Sequence, residues 1–165
     1  MPRRRLSFES FVPLPIESVF AFFAQPRNLA SLTPPERGLE IDDAPAVGSV
    51  GAAFRVRVRI LFCRIAWTVR IVEWQPPHLF VDVQESGPMA YWRHEHSFLE
   101  VPGGTRVVDR IEYEPPGGVF SGLIDSLFVR RDMEALFRYR SEKLPGVLGF
   151  DASPPIAIGS NPHET

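Results

Sequence analysis

The chain has 165 residues, a formal net charge of −2 and one cysteine, Cys63. That length suits a single domain with a real core, and near-neutrality removes any bulk attraction to nucleic acid or an anionic membrane. A lone cysteine excludes an internal disulfide and a cysteine-based zinc cluster, and fits a reducing compartment.

Arg3, Arg4 and Arg5 mimic the basic start of a signal peptide, but Glu9, Pro13, Pro15 and Glu17 interrupt the apolar run that such a peptide needs. No uncharged apolar run is long enough to cross a bilayer. The expectation is a cytoplasmic protein without membrane insertion. Leu6 to Val12 reads as a strand, with Leu6, Phe8, Ser10 and Val12 on one face. Pro13 and Pro15 end it and lead into a helix in which Ile16, Val19, Phe20 and Phe23 follow helical spacing. Pro26 stops that helix, and Arg27 to Leu32 forms a second short one before Thr33-Pro34-Pro35.

Leu39 to Asp43 is a weak strand. Ala52 to Ile60 alternates cleanly, with Phe54, Val56, Val58 and Ile60 opposed to Arg55, Arg57 and Arg59. Ile65 to Trp74 answers it, with Trp67 on its apolar face, and Leu79 to Glu85 follows the Gln75-Pro76-Pro77 break. The arginines, with Arg64 and Arg70, read as a solvated sheet face paired to acids such as Glu73, Asp82 and Glu95, in preference to a nucleic-acid grip.

Next comes a hairpin. Trp92, His94, His96 and Phe98 share one face of its first strand. Pro102, Gly103 and Gly104 reverse the chain, and Val107, Asp109, Ile111 and Tyr113 share one face of the return. Two histidines and an aspartate thus sit on a mostly apolar surface, where burial costs free energy unless they find partners. After Pro115-Pro116-Gly117-Gly118 the period becomes helical. Phe120, Leu123, Ile124, Leu127 and Phe128 make one apolar stripe, and Met133, Leu136, Phe137 and Arg140 continue it at a shifted angle. The helix is expected to end near Leu144. The domain is therefore placed at residues 1–144, and residues 145–165 read as a proline-rich, loosely held tail.

This order predicts an α+β fold: a curved antiparallel sheet of six to seven strands around a long C-terminal helix, with two short helices after the first strand. It resembles the START-like, Bet v 1-like superfamily of helix-grip proteins. The match is carried by P-I-E-S-V-F-A-F-F-A-Q-P-R-N-L-A-S-L-T-P-P, Pro15 to Pro35. It is also carried by G-P-M-A-Y-W-R-H-E-H-S-F with its G-G-T-R-V-V-D-R-I-E-Y-E-P-P continuation. Within that superfamily the chain is similar to the bacterial cyclase/dehydrase-like branch. The resemblance implies an internal cavity between sheet and helix, and no agreed catalytic motif.

The leading functional expectation is a module that binds a small hydrophobic molecule, lipid-like, polyketide-like or otherwise cyclic. Phe54, Trp67, Trp92, Phe98, Phe120, Ile124 and Leu127 would form its apolar walls, and His94, His96, Asp109 and Tyr113 would orient one polar group. An aromatase/cyclase or dehydratase using His94, His96 or Asp109 as general acid or base is the alternative, and a protein-interaction module a third. His-x-His with Asp109 could offer metal ligands, but no denser Cys/His cluster accompanies them, so neither a metal nor a cofactor is expected. A monomer or weak dimer is the expected state.

Overall fold

The computed structural model describes residues 3–60 and 63–151. Its strands are β1 (Arg4–Val12), β2 (Glu40–Asp42), β3 (Ala53–Ile60), β4 (Cys63–Gln75), β5 (Leu79–Ser86), β6 (Tyr91–Val101) and β7 (Gly104–Glu114). They form one antiparallel sheet in the order β1-β7-β6-β5-β4-β3-β2. From β2 to β7 each strand pairs with the next, as short connections favour, and β1 closes against β7. Helix α1 (Ile16–Phe23) and a 3-10 segment (Pro26–Leu32) follow β1. The C-terminal rod comprises α2 (Ser121–Ile124), a π-helical turn (Asp125–Val129) and α3 (Arg130–Leu148).

The tight β6–β7 turn depends on glycine. Gly103 has φ +88, and a Cβ on Gly104 would overlap the Val12 carbonyl oxygen and lie 2.7 Å from Pro13 Cα. This close approach locks the hairpin to the end of β1. Two apolar cores then fill part of the concave face. One packs Ile16, Val19 and Phe20 of α1 on Phe80, Phe98, Val107 and Leu144. The other packs Met133 and Phe137 of α3 on Leu6, Phe8, Ile111 and Tyr113. Phe8 and Phe137 stack at 4.1 Å.

Two expectations need correction. Asp82 does not face the solvent-side arginines. β5 turns Phe80 and Asp82 inward, opposite His96 and His94, and sends Val81 to the convex face opposite Glu95. Val81 is nonetheless fully buried there. Its strand neighbours set this phase: a bulge between Ile71 and Glu73 lets Ile71 pair with Asp82 and Trp74 with Phe80. The outer arginines pair elsewhere, Arg57 with Glu40 and Asp42, Arg64 with Glu40, and Arg70 with Glu85.

The second correction concerns the rod. Most of its first apolar stripe faces outward: Phe120 is 68% exposed, and Leu123 and Leu127 are exposed too, while Phe128 is half exposed and reaches the cavity with its other side. The buried side carries Ser121 and Asp125, then Met133, Phe137 and Leu144. Asp125, Val129, Met133 and Phe137 recur at every fourth residue, a spacing that drifts around a regular α-helix. The wider π turn takes up part of that drift at the start of the run. The anchor is polar. Asp125 is 1% exposed, accepts a 2.7 Å hydrogen bond from the Tyr113 hydroxyl, and is ion-paired with Arg4. A buried carboxylate with two donors fixes the rotation of the rod more firmly than an exposed leucine stripe can. The rod also runs past Leu144, through Pro145 to Leu148. It is closed by Gly149 at φ 74, whose N–H donates to the Pro145 carbonyl. The expected loose tail beyond Asp151 lies outside the described residues.

Candidate functional site

Between β3–β5 on one side and α3 on the other, the two cores leave space. It forms two adjoining chambers of about 190 and 170 Å3. Val56 of β3, Trp67 of β4, Trp92 of β6 and Met133, Leu136 and Arg140 of α3 line both. Trp67 and Trp92 meet edge to face at 4.9 Å. The larger chamber adds Phe54, Val69, Phe80 and Phe137, with Asp82, His94 and His96 at one end. The smaller adds Val58, Met89, Phe128 and the ion pair of Arg37 with Asp132. An apolar cavity of roughly 150 Å3 accommodates a benzene-sized body, so each chamber has room for a ring or a short chain.

The polar end is a tetrad. β5, β6 and β7 bring Asp82, His94, His96 and Asp109 into register, with Asp82 opposite His94 and Asp109 opposite His96. His94 Nε2 and Asp109 Oδ1 are 2.9 Å apart, and His96 Nε2 and Asp82 Oδ2 are 3.1 Å apart. His96 Nδ1 lies 2.8 Å from Asp109 Oδ1, off the hydrogen-bonding direction, and His94 Nδ1 lies 3.9 Å from Asp82 Oδ2. The imidazole centroids lie 3.8 Å apart, with the rings tilted by 39°. Each ring is thus held between two carboxylates.

These contacts divide the protons unequally. Burial works against charge on His96, but its contacts with Asp109 and Asp82 outweigh it and raise the pKa to about 9. Burial and the neighbouring His96 charge push His94 down, so it stays neutral. Asp109, despite burial, is held below the ordinary carboxylate range by the two histidines. The tetrad therefore carries two carboxylates, one imidazolium and one neutral imidazole facing the larger chamber. Asp82, His94 and His96 each offer a ligating atom, all within 4.8 Å of one another, which is the set that could hold a metal ion.

The residues named from the sequence divide in two. Phe54, Trp67, Trp92, His94 and His96 line the chambers. Asp109 sits behind the imidazoles and lines neither. Phe98 is packed in the α1 core, and Tyr113 is committed to Asp125. Phe120 and Leu127 point to solvent on the outer side of the rod, and Ile124 packs against Gly117. Asp82 and Arg140 escaped the sequence reading. Counting by twos from Phe80 would have found the first. The second lies in the same helical stripe as Met133, Leu136 and Phe137.

Comparison with known proteins supports the architecture. No curated protein sequence matches the chain. Among solved structures, TTHA0849 from Thermus thermophilus superimposes with a TM-score of 0.66 at 21% identity, covering 87% of this chain and 99% of its own. Protein CV1439 from Chromobacterium violaceum gives 0.67 at 16% identity, covering 89% and 98%. Ara h 8.0201 gives 0.59 at 13% identity, covering 88% and 99%. These share the helix-grip fold of the START/Bet v 1-like superfamily. The sequence profile described as polyketide cyclase / dehydrase and lipid transport matches residues 3–148, nearly everything the structure describes, and the chain belongs to that family.

Proposed function

We propose that the chain binds a small, largely apolar molecule in the two chambers, with its polar end toward the His–Asp tetrad. The observation that carries this reading is the pair of apolar chambers beneath α3, with ionised groups gathered at one end of the larger. A core packed only for stability would close such voids, because each empty volume forfeits dispersion contacts. Family membership adds lipid and polyketide chemistry to the class of ligand. Native mass spectrometry of the protein purified from its own host tests the reading. A bound small molecule that disappears in Leu136→Trp, which places a larger ring in the wall shared by both chambers, supports it. A ligand-free wild type that also shows no tryptophan fluorescence response to alkyl or aromatic probes refutes it.

One observation favours acid–base chemistry in the same space. His94 faces the larger chamber, is kept neutral, and has its Nε2 held by a carboxylate, an arrangement suited to a general base. The two readings separate in His94→Gln. A carrier keeps its ligand, whereas an enzyme of cyclase or dehydratase type loses turnover by orders of magnitude.

A further inference from the structure

Arg140 is the outlier among the arginines. Among the described residues, Arg3, Arg4, Arg5, Arg37, Arg57, Arg64, Arg70, Arg93, Arg106, Arg110 and Arg130 each lie within ion-pair distance of a carboxylate. Arg27, Arg55, Arg59, Arg131 and Arg138 are exposed to water. Arg140 has neither. It lines both chambers, stacks its guanidinium 4.7 Å from the Phe137 ring, and holds a buried Nε with no hydrogen-bond partner. Burial depresses its pKa, and the tetrad carboxylates oppose that only from beyond ion-pair distance. A guanidinium is a planar fork of five donors that cannot shed its charge in a protein, so burying its Nε with no acceptor while no carboxylate pairs with the group is costly.

A second unpaired donor lies in the same walls. Trp67, which also lines both chambers, has a buried indole Nε1 without a partner. An indole nitrogen donates and never accepts. The third buried nitrogen without a hydrogen bond, His96 Nδ1, belongs to the imidazolium already neutralised by Asp109. Among the described residues no buried side-chain acceptor is left unpaired. The cavity is therefore short of oxygen acceptors.

We infer that the ligand carries an acidic oxygen head group, a carboxylate or an equivalent planar oxyanion, and that Arg140 binds it while the apolar body occupies the chambers. The inference rests on the proposed cavity-binding function and adds the ligand's head-group chemistry. A carboxylate matches the guanidinium fork with two parallel hydrogen bonds. Phe137 lies against the guanidinium, and Leu136 and Met133 line the same walls, so the pair would form beside apolar side chains. Asp82 and Asp109, which act electrostatically on Arg140, disfavour a second anionic group beside the first, so the remainder of the ligand is uncharged.

The test uses two probes that differ only in the head group, decanoate and decan-1-ol, titrated into the full chain at pH 7.5 and followed by tryptophan fluorescence. Wild type is expected to bind decanoate at least tenfold more tightly than the alcohol, and Arg140→Met to abolish that preference, with decanoate losing far more affinity than the alcohol. The alcohol thus reports that the variant is folded and its chambers intact. Arg140→Lys, which keeps the charge but loses the fork, is expected to retain part of the preference. Equal affinity for the two probes in wild type, or a preference that survives in Arg140→Met, overturns the inference and leaves the cavity reading standing. Failure of both probes to bind wild type overturns the cavity reading and this inference together.

Discussion

Replacing Asp109 by asparagine tests the ionic character of the tetrad, because Asp109 Oδ1 lies 2.9 Å from His94 Nε2 and 2.8 Å from His96 Nδ1. Raising His96 from 6.5 to about 9 corresponds to roughly 3 kcal/mol of preference for the charged ring in the fold. Asp82 and Asp109 share that contribution. Half of it, with about 1 kcal/mol for the His94 hydrogen bond, gives an expected loss of about 2–3 kcal/mol for Asp109→Asn near pH 6. The pH dependence carries more information than the magnitude. His96 has a folded pKa above its unfolded one, so its contribution is complete below pH 6.5 and fades as pH rises through about 9. Asp109 has a folded pKa below 3.8, so its contribution exists above that value and is lost as pH falls beneath it. The gap between variant and wild type is therefore widest between about pH 5 and 6.5 and narrows toward pH 9. Urea denaturation at pH 6, 7.5 and 9 reads this out directly. A gap below about 0.5 kcal/mol at pH 6, or one that stays constant to pH 9, refutes the assignment of a charged His96 between two carboxylates.

Two further substitutions probe what holds the cavity in shape. Tyr113→Phe removes a buried donor from Asp125 and leaves that carboxylate to Arg4; we expect about 1–3 kcal/mol of destabilisation and unchanged ligand binding, measured by denaturation and fluorescence titration. A loss of decan-1-ol affinity in that variant would show that Tyr113 belongs to the binding walls after all. Gly104→Ala forces a Cβ into the Val12 carbonyl, so it should cost more than about 2 kcal/mol, several times the effect of Ala at exposed Gly146, where nothing lies within 4 Å. Similar melting temperatures for the two alanine variants would contradict the close packing of the hairpin on β1.

Phe120 and Leu127 show why periodicity found the rod but turned its N-terminal part to the wrong side. Spacing by threes and fours reports that a helix has an apolar stripe, not which surface the stripe meets. Asp125 settles that question through Tyr113 and Arg4, partners 12 and 121 residues away in sequence. A run of local spacing contains no trace of either. The β6–β7 hairpin was legible for the opposite reason. Its turn is local, its alternation is strict, and His96 and Asp109 fall opposite each other once Gly103 fixes the register.

The sequence alone therefore determined the order of elements, the α+β helix-grip architecture, and the placing of His94, His96 and Asp109 on the concave face, because strand and helix periods are properties of neighbouring residues. Only the tertiary structure decided that Asp82 completes the tetrad, that Tyr113 is a strut for the rod and not a pocket wall, and that Arg140 stands unpaired between two chambers. Each of these depends on the bulge in β4 or the π turn before α3, where one residue of slip reassigns every following side chain to another face.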